Sequence, residues 1–346
     1  MPLIKCIDCG NMISNNSEIC VHCGCPTKKS IHILEEAPKR KGFSVKKNRL
    51  VKYFGKDEHL FIPEEVIVIN NNAIIKRKFL KKIFIHKLIS DIKPYAIMDC
   101  PNLIEIVVDE KNNDYCSIDG NLYSKDKTVL IRYAIGKLER TFSIPQGVVS
   151  IAENAFWGCQ NLELIKIPST LKSVGIAAFA ACVNLREIAF HDGVVKIGPC
   201  AFAGCVSLNN IKLPLGEEKE RFGYKWRESL LSEVGNEFFY GCHSLKRIKI
   251  PYGVKYIGVD AFCDCKNLKE IEIPDSVTCI WSRAFYLCES LERIEIPASV
   301  QSIQSYAFPP KCKIIGEKNS VAHKYAMDNN LEFIVVDRRF SWFRED

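Results

Sequence analysis

The sequence lacks the long apolar runs of membrane proteins. No stretch of its 346 residues approaches the ~20 consecutive apolar residues that span a bilayer. The first six residues, Met1 to Cys6, do not begin the apolar core of a signal peptide. We therefore expect a cytoplasmic protein without a membrane span. The 17 cysteines are then expected to be reduced thiols or metal ligands, and not a disulfide framework.

The sequence also lacks the common catalytic motifs. It contains no glycine-rich phosphate loop, no Gly-x-Ser-x-Gly and no His-Glu-x-x-His. The seven histidines are dispersed and share no repeated position. These absences predict a protein that is not an enzyme.

A fixed spacing of phenylalanine and cysteine is the main feature that is present. The phenylalanines recur every 23 residues, with one step of 37, and a cysteine lies three residues after each of the first six. The positions are Phe156, Phe179, Phe202, Phe239, Phe262, Phe285 and Phe308. A period of this size predicts a solenoid, because each unit buries its apolar face only by stacking on the next.

Each repeat contains one predicted strand, which ends in an Ile-x-Ile-Pro pattern such as Ile165 to Pro168. The alternation predicts a strand that proline ends, and one strand per unit predicts a parallel ladder with ~4.8 Å between strands. With the weaker units at Ile74 and Ile97, we count about eight coils over residues 59–310. An inserted β-hairpin is expected within residues 109–140, turning at Asp119 and Gly120. Residues 311–346 are expected to form a cap and tail, with strands near 313–315 and 333–336 and a helix near 320–329.

These residues resemble the BspA-like leucine-rich-repeat family. The shared features are the pattern Ile-Pro-x-x-Val-x-x-Ile-x-x-x-Ala-Phe-x-x-Cys-x-x-Leu-x-x-Ile and the inserted segment at residues 115–133. The resemblance covers about residues 60–336 and implies a mainly β, right-handed leucine-rich-repeat solenoid. It also implies protein–protein contact and adhesion, often at cell surfaces, although this chain shows no export signal.

Two Cys-x-x-Cys-Gly pairs near the N-terminus predict a metal site. Four thiolates at this spacing suit the tetrahedral coordination of Zn²⁺. The predicted ligands are Cys6, Cys9, Cys20 and Cys23. We expect one structural Zn²⁺ in a ribbon over residues 1–27, which resembles short bacterial zinc-ribbon modules. A redox Cys-x-x-Cys is the alternative, but that motif usually occurs once and opens a helix.

Residues 28–58 are rich in lysine and arginine and are expected to form a basic linker. The segment from Lys28 to Lys93 contains 17 basic and 7 acidic residues. Such a segment is either a solvated linker or, with rings at Phe43, Tyr53 and Phe54, a contact to nucleic acid. The nucleic-acid contact is kept as an alternative function.

The repeated phenylalanines and cysteines are interpreted as core, because buried thiols and rings commonly occupy such positions in leucine-rich repeats. A metal or redox column of cysteines is the alternative. Residues on the outward side of each strand are free to bind a partner. Along the chain their character changes from apolar to basic to acidic, which suits a protein partner better than a uniform polyanion. The candidates are Lys166, Lys212, Arg247, Lys249, Glu270, Glu272 and Glu295. An ordinary solvated sheet face is the alternative.

The long step between Phe202 and Phe239 predicts a loop insertion within residues 215–237. Insertions in solenoids often carry contacts, and this one contains the residue types of interface hot spots. The candidates are Phe222, Tyr224, Trp226 and Arg227. They either bind a partner or pack locally. The leading hypothesis is a protein-interaction scaffold, with a surface or host-directed adhesin as a further alternative.

Overall fold

A computed structural model describes residues 3–5, 12–14, 42–221 and 224–336. Within these residues the chain forms a β-solenoid with two ladders of parallel strands. The long ladder carries the Ile-x-Ile strands, and the short ladder carries the strand that precedes each buried ring. The predicted solenoid is therefore confirmed.

The long ladder contains twelve strands among the described residues, of which ten lie within residues 59–310, where eight coils were expected, and two belong to the predicted cap. They are β5 (His59–Phe61), β8 (Lys82–Ile85), β11 (Glu105–Val108), β15 (Thr141–Ser143), β17 (Leu164–Lys166), β19 (Glu187–Ala189), β21 (Asn210–Lys212), β25 (Arg247–Lys249), β27 (Glu270–Glu272), β29 (Arg293–Glu295), β31 (Lys313–Gly316) and β32 (Phe333–Val335). Equivalent isoleucines pair across the ladder, as Ile165 does with Ile188. The count was low because some coils lack the Phe and Cys that define the others.

The short ladder runs beside the buried rings. Its strands are β4 (Arg49–Tyr53), β6 (Val68–Ile69), β9 (Asp91–Ile92), β14 (Val129–Arg132), β16 (Ser150–Ile151), β18 (Ser173–Val174), β20 (Lys196–Ile197), β24 (Glu233–Val234), β26 (Tyr256–Ile257), β28 (Cys279–Ile280) and β30 (Ser302–Ile303). At the ring positions of two early coils, β7 (Ile74–Ile75) pairs in parallel with β10 (Ile97–Met98). This pairing confirms that Ile74 and Ile97 occupy the ring position.

Both insertions are hairpins. The first joins β12 (Tyr115–Ile118) to β13 (Asn121–Ser124), and it turns at Asp119 and Gly120, which both have positive φ. The rest of the expected insertion, from residue 129, is already a coil. The second insertion was expected to be a loop, but β22 (Glu217–Arg221) pairs with β23 (Tyr224–Glu228). In β23 aromatic residues alternate with charged ones, which suits a strand of a two-stranded ribbon, whereas β22 consists of charged residues throughout.

The solenoid begins earlier than residue 59. Strand β3 (Phe43–Lys46) forms a hairpin with β4, and β4 pairs in parallel with β6. The second half of the expected linker is thus the first coil, because Leu50 and Tyr53 are fully buried. The free energy gained by burying these two side chains outweighs the tendency of the charged residues around them to stay solvated. Farther upstream, β1 (Leu3–Lys5) pairs with β2 (Met12–Ser14) in an antiparallel arrangement.

The cap at the C-terminal end follows the prediction. Helix α1 (Val321–Asp328) is N-capped by the Ser320 hydroxyl, which accepts a hydrogen bond from the His323 amide. The strands on either side of the helix are β31 and β32, and β31 pairs in parallel with β29 on one side and with β32 on the other. The cap thus extends the long ladder while its helix covers the last ring, since Tyr325 contacts Phe308 edge-on with 5.5 Å between ring centroids.

Candidate interaction surface

The repeated rings form a continuous stack in the core. Adjacent rings from Phe156 to Phe308 stack with centroid distances between 5.2 and 5.6 Å. Tyr133 extends the stack, at 5.2 Å from Phe156. Sequence reasoning missed Tyr133 as a ring position. The available signal was its place 23 residues before Phe156, together with Gly136, which lies 23 residues before Cys159.

The cysteine column is structural. Five buried thiols, those of Cys182, Cys205, Cys242, Cys265 and Cys288, donate a hydrogen bond to the carbonyl of the ring residue one coil earlier, as Cys205 does to Phe179 at 3.1 Å. Burial raises the pKa of the Cys159 thiol to about 12 and that of Cys100 to about 11. These thiols stay protonated near neutral pH and are poor nucleophiles. The packing interpretation of both columns is confirmed.

The outward side chains of the long ladder form one surface, which we call the long-strand face. All seven candidate residues on strands β17 to β29 are exposed on this face. Lys166 and Lys212 lie on either side of Ala189 in the same row. Arg247 is paired with Glu270 in register, and Lys249 forms an ion pair with Glu272 at 3.2 Å. The structure therefore places these candidates on one face. The charges of Lys249 and Glu272 partly neutralise each other.

The N-terminal end of the long-strand face is aromatic. Phe61 stacks on Phe84 with 4.2 Å between ring centroids, and His59 contacts Phe84 edge-on at 6.4 Å. Burial lowers the pKa of His59, and the neighbouring Lys82 lowers it further. Lys82 in turn pairs with Glu105 at 2.8 Å. Sequence reasoning noted Phe84 in the apolar part of this row but missed Phe61 and His59, because it began the array one coil too late.

The candidates of the second insertion fall partly outside the described residues. Phe222 lies outside them, and Tyr224, Trp226 and Arg227 lie in β23. The backbone register pairs Tyr224 with Arg221, Trp226 with Lys219 and Arg227 with Glu218. Whether this hairpin is an interface stays a prediction.

The predicted zinc ligands Cys6, Cys9, Cys20 and Cys23 lie outside the described residues. Within the described part of the chain, no group of three or more His, Cys, Asp and Glu side chains is arranged to hold a metal ion. That search does not include the four predicted ligands, so zinc binding stays a prediction.

The rings considered for nucleic-acid stacking are mostly used in packing. The ring centroids of Phe43 and Tyr53 lie 5.1 Å apart, and Tyr53 is fully buried. The Tyr53 hydroxyl donates a hydrogen bond to Asp57 at 2.6 Å, whereas the Phe54 ring is more than half exposed. Only one of the three rings is therefore open to a base. Among the described residues, no helix is long and apolar enough to cross a membrane.

Ladder, ring stack and thiol column together define a leucine-rich-repeat solenoid. The family described as BspA type leucine rich repeat region matches six copies, at residues 47–127, 135–221 and 232–325. The chain belongs to this family. The match breaks at residues 128–134, just after the first hairpin, and at residues 222–231, which include β23 of the second hairpin.

Solved structures share the fold. A leucine-rich repeat protein from Eubacterium ventriosum is 26% identical with a TM-score of 0.64, and the match covers 73% of this chain and 64% of that one. The chain thus spans less than two thirds of that relative. The pneumococcal vaccine antigen PcpA is 19% identical with a TM-score of 0.52, over 82% of this chain and 69% of that one, and shows the fold alone. No curated protein matches the chain.

Proposed function

We propose that this chain is a non-enzymatic scaffold that binds a protein partner along the long-strand face. The observation that supports this function is the graded composition of that face. Stacked aromatic rings lie at its N-terminal end, exposed lysines at Lys166 and Lys212 in its middle, and acidic residues such as Glu272 and Glu295 toward its C-terminal end.

A graded surface favours a protein over a polyanion. Nucleic acid would be bound best by basic residues along the whole face, because each phosphate carries the same charge. A protein partner can present matching acidic, basic and apolar groups in one order, which fixes register and orientation. The stacked Phe61 and Phe84 also have the aromatic character of interface anchors. A basic site for nucleic acid would retain only Phe54 as an open ring and is the weaker proposal.

The test is affinity capture with the full chain and a matched pair of variants. Lys166→Glu with Lys212→Glu reverses the charge in the middle of the long-strand face. Lys172→Glu with Lys196→Glu makes the same charge change at exposed lysines beside the short ladder. We expect the first variant to bind its partner at least tenfold more weakly, since interfacial charge reversal costs a few kcal/mol, and the second to bind it as the wild type does.

Two outcomes would contradict the proposal. In one, the two double variants lose the partner equally. In the other, the long-strand variant keeps it. A third variant, Tyr224→Ala with Trp226→Ala, tests the second hairpin separately. A loss confined to this variant would move the interface from the ladder to the insertion.

We also propose that the N-terminal residues bind one structural Zn²⁺ through Cys6, Cys9, Cys20 and Cys23. The support is the donor set together with the strands around the first pair, because Lys5 pairs with Met12 and so brings together the two ends of the segment that contains Cys6 and Cys9. Such a short module needs a metal for its stability. The test is metal content, with about one zinc per chain expected and little in a Cys6→Ser, Cys9→Ser variant. A wild-type chain without zinc would contradict it.

The scaffold proposal does not depend on the compartment. A cytoplasmic location stays a prediction, and a surface or host-directed adhesin is the alternative. Cell fractionation separates them, since protein in the soluble fraction alone would exclude the adhesin.

A further inference from the structure

One outward row of the long-strand face is charged in two blocks of opposite sign. The stacked core rings belong to the same coils in the same order, so β21, β25, β27 and β29 are successive strands of this face. From β17 to β29 the exposed residues of the row are Lys166, Ala189, Lys212, Lys249, Glu272 and Glu295. The lysines thus precede the glutamates, and the charge changes sign between β25 and β27.

A row of this kind is complementary to the same row in reverse order. A two-fold rotation about a line that runs along the strands, between β25 and β27, places two copies face to face. It reverses the order of the strands and keeps each outward row opposite itself. Lys249 then faces Glu272 of the second copy, and Lys212 faces Glu295 of the second copy. Because the arrangement is two-fold symmetric, each contact forms twice.

The neighbouring outward row agrees with this arrangement. The register within the ladder fixes which of its residues face each other. The pairs that the rotation brings together are Arg247 with Glu270, Glu187 with Lys313, and Asn210 with Arg293. Over the six described strands from β19 to β31, neither row brings like charges together.

The position of the two-fold axis is selective. An axis on β25 would place Lys249 opposite itself, and an axis on β27 would do the same with Glu272. An axis one strand earlier would place Lys212 opposite Lys249. Like charges that face each other across an interface cost several kcal/mol by rough estimate, so the axis between β25 and β27 is favoured over its neighbours.

We propose that the long-strand face binds a second copy of this chain in reversed strand order, with the two-fold axis between β25 and β27. This inference rests on the proposed function, since it names the partner of the same face. Lys249 and Glu272 pair within one copy at 3.2 Å, yet their side chains are 67% and 71% exposed. The dimer joins two such pairs into a network of four charges, and networks contribute more than isolated surface pairs.

The size of this contact predicts a weak dimer. Six strands at ~4.8 Å spacing extend over about 24 Å. Strands of three residues then cover a few hundred Å² per copy, less than the ~800 Å² of a standard interface. We therefore expect a dissociation constant on the order of 100 μM at low salt, with association that weakens as salt screens the charges.

The first test is sedimentation equilibrium of the wild-type full chain at about 10 to 500 μM. In about 50 mM NaCl we expect the average mass to rise from that of the 39.3 kDa monomer toward twice that value. In about 500 mM NaCl it should stay near the monomer. A monomer at every concentration, or a dimer that salt does not weaken, would overturn the proposal.

The second test exchanges the charges reciprocally. Lys212→Glu with Lys249→Glu makes the row acidic at these four strands, and Glu272→Lys with Glu295→Lys makes it basic. We expect each variant alone to dimerise at least tenfold more weakly than the wild type, and an equimolar mixture of the two to associate again, because every lysine then faces a glutamate. A mixture that stays monomeric would overturn the proposal.

The matched control is Lys172→Glu with Lys196→Glu, which makes the same charge change at exposed lysines beside the short ladder. We expect it to dimerise as the wild type does, and an equal loss in this control would also overturn the proposal. This result is separate from the test of the scaffold. A monomeric wild type whose captured partner is still lost on Lys166→Glu with Lys212→Glu would refute the second copy alone and leave the proposed function intact.

Discussion

The two insertions are both hairpins, yet the core continues through only one of them. After the second hairpin, Phe238 joins the ring stack, and one apolar cluster extends from Tyr123 to Ala326. At the first hairpin the apolar core divides, because a separate cluster extends from Leu50 to Ala134. The buried Arg132 lies at that division. An insertion therefore leaves space in a solenoid core, and the residue that fills this space determines whether the core is continuous.

Removing the ring at the second junction should have the largest effect. Phe238→Ala introduces the buried alanine that eight other coils have before their ring position, but it leaves a cavity, because the neighbouring coils are already spaced for a ring. We expect the free energy of unfolding, measured in urea, to fall by about 3–5 kcal/mol. Tyr240→Ala, at an exposed ring two residues away, should change it by less than about 0.5 kcal/mol. If Phe238→Ala lowered the free energy of unfolding by less than about 1 kcal/mol, the Phe238 ring would not be what keeps the core continuous at the second junction.

The thiols at the two junctions should differ in their response to alkaline pH. Burial raises the pKa of Cys159 from an ordinary value of 9.0 to about 12, so the unfolded chain loses this proton first. The stability contributed by the thiol is complete below pH 9 and is lost as the pH rises toward 12. Cys159→Ala should therefore lose about 2 kcal/mol less of its free energy of unfolding than the wild type between pH 8 and 11.

Cys242→Ala sharpens this comparison. The guanidinium of Arg132 opposes the rise in the pKa of Cys159, whereas Cys242 is raised by burial without such a cation. Both folded thiols stay protonated up to about pH 11, so the two variants remove the same pH dependence there, and the larger effect at the second junction appears only as the pH approaches 12. Urea unfolding at several pH values measures both variants, and their curves should run parallel to the wild type below pH 8. Equal slopes for the two variants between pH 11 and 12 would contradict the difference in charge.

Replacing the charge at the first junction should stabilise the chain. Arg132→Leu removes a buried guanidinium whose Nε has no hydrogen-bond partner among the described residues, and it joins the two apolar clusters. We expect the free energy of unfolding to rise by about 1–2 kcal/mol, as it does when buried charges are replaced by packed apolar groups. The measurement is urea unfolding. A loss of several kcal/mol would mean that Arg132 holds the junction together through its hydrogen bond to the Asn154 carbonyl.

A substitution in a turn remote from both junctions should change the free energy of unfolding least, and it serves as the reference for the other variants. Leu287 has a φ of 60° and is partly exposed, and the equivalent residues in three other coils are Gly158, Gly204 and Gly241. Leu287→Gly should raise the free energy of unfolding by about 0.5–1 kcal/mol, because glycine adopts this conformation without strain. Thermal unfolding measures the change. A clear loss would show that the Leu287 side chain contributes packing that outweighs the strain.

The repeat itself was predictable from the sequence, since Phe179 and Cys182 represent a coil that recurs almost unchanged. The parts that departed from the repeat were not. Tyr133 occupies a ring position without the usual phenylalanine, and Tyr53 belongs to a coil within a charged segment. Their burial depends on the neighbouring coil, which local composition does not show. Arg132 was not singled out, because an arginine in a strand normally suggests an exposed residue.

The candidate site was predictable in position but not in pairing. Alternation along each strand indicates that Lys249 and Glu272 face outward. That they form an ion pair depends on the register between coils, and that Phe61 extends the long-strand face depends on where the array begins.

Hydrogen exchange of the full chain, followed by mass spectrometry, tests most directly whether the first insertion divides the core. We predict that residues 50–122 open in a separate step of lower free energy than residues 133–326, and that exchange shows no step at the second hairpin. Exchange of the whole array in a single step, or a boundary at residues 217–228 in place of the first hairpin, would contradict it.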